Sequence, residues 1–148
     1  MQIFINIIRN IFAIVVGVIV GVTFNMLVGF INTLIFPLPE GMSYWDMFDK
    51  EKIQEIVDWI GTLPQSAFIL VLVAHLSQAF FGGYVAAFIS KRNVMCVAMV
   101  VGVLSLVGGL MNMAQVPAPL WLWIEMPLYL VVAWYAGKLE LKRRSKVS

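Results

Sequence analysis

Charge is scarce in this chain, and so are the residues that usually carry chemistry. Lys, Arg, Asp and Glu together make up 12% of the 148 residues, against about 25% in a soluble domain. The net charge is only +2, so composition offers no broad basic surface, and nucleic acid is not an expected partner. The single cysteine, Cys96, excludes an internal disulfide; set in an apolar run, it reads as a small buried hydrophobe. The single histidine, His75, excludes the paired spacing that a haem or zinc site needs. No nucleophile, base and acid stand together in a hydrolytic pattern, so no catalytic residue, no metal and no cofactor is expected.

Apolar length is abundant. Hydrophobic residues reach 61% of the chain, and the mean hydropathy is +0.93. A bilayer core asks for about 20 mostly apolar helical residues. Four segments supply them, at about 11–36, 65–90, 94–115 and 120–137. The first is longer than a secretory signal core and has no small-x-small cleavage site near its end, so it reads as a retained helix. The expected fold is all-α, a single transmembrane four-helix bundle spanning 1–148.

The connections sort by charge. Arg9, Lys91, Arg92, Lys138, Lys142, Arg143, Arg144 and Lys146 fall on one side, and only Lys50 and Lys52 fall on the other. The positive-inside rule then places both termini, the 91–93 turn and the basic tail 138–148 in the cytoplasm, here of a bacterial inner membrane. The tail reads as a topology anchor that can also meet anionic lipid. The loop 37–64 and the "VPAP" turn lie outside. Within that loop, Trp45, Phe48, Ile53, Ile56, Val57 and Ile60 recur at helical spacing, predicting an amphipathic interfacial helix over about 44–60 that Gly61 stops. Six acids (Glu40, Asp46, Asp49, Glu51, Glu55, Asp58) against two lysines give the loop a charge of −4.

Helices in lipid associate through small residues and polar contacts. Gly17 and Gly21 in the first helix, Ala79, Gly83 and Ala87 in the second, and Gly102, Ser105 and Gly109 in the third form such stripes. They serve either packing within the chain or self-association. "FFGG" and "VGGL" lie inside apolar helices and are not phosphate loops.

The polar residues at depth stand out against this background. Ionisable groups in a membrane helix are costly and mark functional sites by default. Glu125, within "LWLWIEMPLYL", lies roughly 8–10 Å below the outer end of its helix, and His75 roughly 15 Å below the end of its own, at about 1.5 Å per residue. Asn25, Gln78 and Asn112 fall in the same outer half. Pro127 is expected to bend the fourth helix and free the Trp123 carbonyl beside Glu125. These groups read as interhelical hydrogen-bond glue worth about 0.6 kcal/mol per bond, as a proton or substrate site, or as a contact for another membrane subunit. Hydropathy does not fix helix rotation, so whether Glu125 meets His75 stays open. The aromatics Trp121, Trp123, Tyr129, Trp134 and Tyr135 bracket the fourth helix as interfacial belts do.

Four short pieces carry a resemblance: "FPLPEGM" after the first helix, "TLP" before the second, "FFGGYVAAFIS" ending it, and "VPAPLWLW" opening the fourth. With them the chain resembles an uncharacterised group of small bacterial four-helix inner-membrane proteins. The resemblance implies the fold and no activity. That group carries a histidine between the two prolines of the last piece; here the position is Ala118, so no role of that histidine transfers.

Three functions follow in order. The first is a non-enzymatic integral membrane protein, a packing or accessory subunit whose partners are the bilayer and either other membrane subunits or a second copy. The alternative is a small oligomeric proton-coupled transporter or channel using Glu125 and His75. The third is a lipid-modifying enzyme with a site near Trp121 and Glu125.

Overall fold

The computed structural model describes residues 1–49 and 51–146. Lys50 and the tail beyond Lys146 lie outside the described residues, as does the Phe48 side chain. Five α-helices follow one another: α1 (Gln2–Ile35), α2 (Ile53–Thr62), α3 (Ala67–Ile89), α4 (Val94–Gln115) and α5 (Glu125–Ser145). Short 3-10 turns at Tyr44–Phe48 and Leu120–Ile124 precede α2 and α5, and no strand is present among the described residues. Four stretches are long and apolar enough to cross a membrane: Gln2–Ile35, Ala67–Ile89, Val94–Gln115 and Leu120–Ser145. The chain is a multi-pass membrane four-helix bundle.

Helix α3 is central and touches α1, α4 and α5; α4 and α5 pack on each other, and α1 meets α4 only lightly. Glycine explains the closeness. A Cβ on Gly17 would sit 2.5 Å from the Gly82 carbonyl oxygen, and one on Gly21 would sit 2.5 Å from that of Gln78, so only bare backbone lets α1 lie this near α3. On the far side of α3, Gly83 faces Ala133 and Ala136, while Gly102 of α4 faces Ala133. Ala79 and Ala87 are fully buried. The small-residue stripes are thus used inside one chain. Away from the loops, Ala86, Val97 and Val101 close the core against Ile14 and Val18.

Hydrogen bonds fix which ends lie together. Ser90 Oγ donates to Asn10 Oδ1 at 2.8 Å, and Asn10 Nδ2 donates to Asn93 Oδ1 at 3.2 Å. Arg144 donates to the Ala87 and Lys91 carbonyls at 2.8 and 3.0 Å. Both terminal segments and the 90–93 turn therefore share one end, the terminal end. At the loop end, Gly61 lies against Pro117 of the α4–α5 turn.

Several expectations need correction. α1 begins at Gln2 rather than near residue 11, because no Gly or Pro interrupts 2–10 and Arg9 bonds Asn6 one turn back. The loop helix is broken in two: a 3-10 turn ends at Phe48 and α2 starts at Ile53. Gly61 does not stop α2, which runs to Thr62; Leu63 turns extended before Pro64, as a residue preceding proline does. Pro127 does not kink a continuous helix. It is the third residue of α5, where a missing N–H costs nothing because first-turn N–H groups have no helical partner. Cys96 is exposed on the outer face of α4 rather than buried. Tyr129 is 2% exposed and belongs to the core, not to an aromatic belt.

Candidate functional site

His75 and Glu125 meet. His75 Nδ1 lies 2.9 Å from Glu125 Oε2, across the α3–α5 seam, with the histidine side chain 13% exposed and the glutamate 0%. The local fold explains why a carboxylate sits here. Glu125 is the first residue of α5, where the positive end of the helix dipole favours a negative side chain. Its other oxygen, Oε1, has no hydrogen-bond partner among the described residues. The imidazole stacks on Tyr129, ring centroids 6.3 Å apart. Tyr129 keeps that place because α4 carries Gly109: a Cβ there would fall 2.6 Å from the tyrosine oxygen.

A second polar pair lies beside the first. Asn25 Nδ2 of α1 donates to Gln78 Oε1 at 2.6 Å. Gln78 stands three residues after His75 on α3, one turn along the same face. The close α1–α3 approach at Gly21 brings Asn25 within reach.

Two cavities open around these pairs. The one toward the loop end holds about 180 Å³; its walls include Trp59, Ile60, Leu63, Phe68, Val71 and Leu122, with Asn25, Asn32, His75 and Asn112 supplying polar groups. The deeper one holds about 160 Å³ and is lined by Asn25, His75, Gln78, Ser105, Gly108, Gly109, Asn112 and Tyr129. Asn25, His75 and Asn112 line both. Apolar walls thus lead from the loop end to a polar floor. Among the described residues, His75 is the only His, Asp, Glu, Lys or Arg lining either cavity. Glu125 lines neither and stands behind the imidazole.

Comparison with family models, with curated proteins and with solved structures returns no match. The reading of the site rests on its geometry.

The residues singled out from sequence fall into place unevenly. Glu125 with His75, and Asn25 with Gln78, form bonded pairs, and Asn112 lines the cavities between them. Sequence reasoning assigned Tyr129 to an interfacial belt and passed over Asn32, which is 8% exposed, lines the outer cavity and has an Oδ1 without a partner among the described residues. It also passed over Glu140, 0% exposed, which accepts from Arg143 Nε at 2.7 Å and Arg144 Nε at 2.8 Å. The Glu-to-Arg spacing of three and four residues was the available signal. No group of three or more His, Cys, Asp or Glu able to hold a metal occurs among the described residues.

The chemistry open to this arrangement is proton exchange. With one proton on the imidazole and none on the carboxylate, Nδ1–H donates to Glu125, and Nε2 is an acceptor for the cavity. With a second proton the pair is neutral overall, and Nε2 becomes a donor.

Proposed function

We propose that this chain is a small, non-enzymatic membrane transport protein that couples movement of a polar solute to a proton held at the His75–Glu125 pair. The observation that carries the reading is the pair itself: a buried carboxylate bonded to the one imidazole that faces both cavities. An intramembrane carboxylate whose only role is glue has no need of an imidazole partner facing a cavity, since an amide gives the same hydrogen bond. The closed half of the bundle at Ala86, Val97 and Val101 means that passage requires the helices to shift, or a second copy beside them. An oligomer in a bacterial inner membrane, with the loop end outside and the terminal end in the cytoplasm, suits the distribution of basic residues. The accessory-subunit reading has less support, because it gives no role to the cavities that the imidazole faces.

The test is proton flux in proteoliposomes carrying the purified full-length chain, started by adding neutral, anionic and cationic polar solutes in turn and read with a trapped pH-sensitive dye. Glu125→Gln is expected to cut flux at least tenfold while the protein stays folded in detergent. Equal flux in wild type and Glu125→Gln would sink the proposal.

A further inference from the structure

We infer that the solute is an amphipathic monocation with N–H donors, an amine or a guanidine, and that it exchanges one for one with the proton. The inference rests on the transport reading and adds to it the ligand class and the stoichiometry.

The charge around the site leads there. From α1 the groups facing it are the Asn25 and Asn32 amides; from α4, Ser105 and Asn112; from α3, the His75 imidazole and the Gln78 amide. From α5 come Glu125 and the Tyr129 phenol; from the loop comes Tyr44, whose hydroxyl donates to the Met26 carbonyl. Among the described residues, no Lys or Arg lines either cavity. In its singly protonated state the pair therefore leaves one uncompensated negative charge in the bundle. A buried charge without a counter-charge is costly. Either a second proton or a bound cation cancels it.

Both compete for one atom. Nδ1 is held by Glu125, so Nε2 is the imidazole nitrogen left for the cavity. A ligand N–H donates to it only while it is unprotonated. When the cation leaves, a proton from loop-end water forms the new N–H bond; when the cation returns, that bond breaks and water takes the proton back. Charge balances at each step. An anion meets the same carboxylate unfavourably, and a neutral solute leaves it uncancelled.

The remaining features fit such a ligand. The outer cavity joins an apolar wall of Phe68, Val71 and Leu122 to the polar floor, as an organic body bearing one cationic head requires. The loop above carries the acids Glu40, Asp49, Glu51, Glu55 and Asp58, all exposed, which raises the local concentration of cations at the mouth.

The probe is benzylguanidinium, permanently charged and rich in N–H donors; benzylurea is its neutral isostere. Binding to the detergent-solubilised full-length protein would be followed by calorimetry from pH 5 to 9, and proton release in weakly buffered solution. The expected result is a Kd that rises up to about tenfold per pH unit on acidification, with release approaching one proton per ligand. Glu125→Gln abolishes both. His75→Gln, which keeps an acceptor at the cavity, retains measurable binding without proton release. Equal binding of benzylurea, or benzylguanidinium binding that is indifferent to pH, overturns the inference. So does the absence of binding in a protein whose proton flux is still lost in Glu125→Gln; that result leaves the transport reading standing. Flux unchanged by Glu125→Gln removes both.

Discussion

The same substitution should act with opposite sign at two glycines of this bundle. Gly17→Ala places a methyl group 2.5 Å from the Gly82 carbonyl oxygen and 2.9 Å from Ala86 Cβ, whereas Gly108→Ala meets nothing within 4 Å. Ordinary contact begins at 3.4 Å, so the α1–α3 seam must open by about 0.9 Å at Gly17 if neither backbone deforms. Transmitted two turns along, that opening stretches the Asn25–Gln78 bond from 2.6 Å toward about 3.5 Å, the limit of hydrogen bonding. Overpacking costs about 1–3 kcal/mol, and the lost bond adds about 0.6 kcal/mol. At Gly108 the change is neutral or gains up to about 1 kcal/mol of helix propensity. The two variants should therefore differ by roughly 2–5 kcal/mol. Reversible unfolding in mixed micelles with a rising SDS fraction, read by tryptophan fluorescence, measures the difference. Equal midpoints for Gly17→Ala and Gly108→Ala would refute the claim that glycine backbone contact holds α1 to α3.

Three further outcomes are expected. Arg144→Ala should destabilise the terminal end by about 2–3 kcal/mol, the scale of hydrogen bonds to a charged group, and speed amide exchange at residues 91–93, with Arg144→Lys recovering part; unchanged exchange would count against the clamp. The Ser43 N–H and the Lys52 ammonium hold the Asp46 carboxyl below its ordinary value of 3.8. Because the folded value is the lower one, this contribution is complete above 3.8 and is lost as pH falls through the depressed value. Trp45 fluorescence should thus stay flat from pH 7 to about 4 and change only below it, and Asp46→Asn should remove that acid transition. Reporter fusions should be active on the cytoplasmic side when joined after Lys146 and on the outer side when inserted after Gly41; the reverse pattern would invert the proposed orientation.

The sequence made some of this legible and hid the rest for definable reasons. The four crossings were visible because each is an apolar run of membrane length, a property of composition along the chain. The members of the polar group were visible because His75, Glu125, Asn25, Gln78 and Asn112 are costly in such runs. Their pairing was not. Each crossing is apolar on nearly every face, so the pattern carries no signal of rotation, and the His75–Glu125 contact depends on rotation. Tyr129 was hidden for a related cause: its burial is set by Gly109 on a different helix. Pro127 misled because proline in an apolar run reads as a kink until the start of α5, two residues earlier, is known. Arg144 counted as one positive charge among several, and its guanidinium turned out to end another helix.

That last contact orders events in time. The carbonyls of Ala87, Phe88 and Ser90 close α3, yet the group that satisfies them lies more than fifty positions later in the chain. During synthesis α3 and α4 enter the bilayer with this end open, and it is sealed only after residue 144 has left the ribosome. A nascent chain stalled earlier holds those crossings without the side chain that bonds these three carbonyls. Arrival of Arg144 is thereby written into the fold as the physical difference between an open and a sealed end of α3.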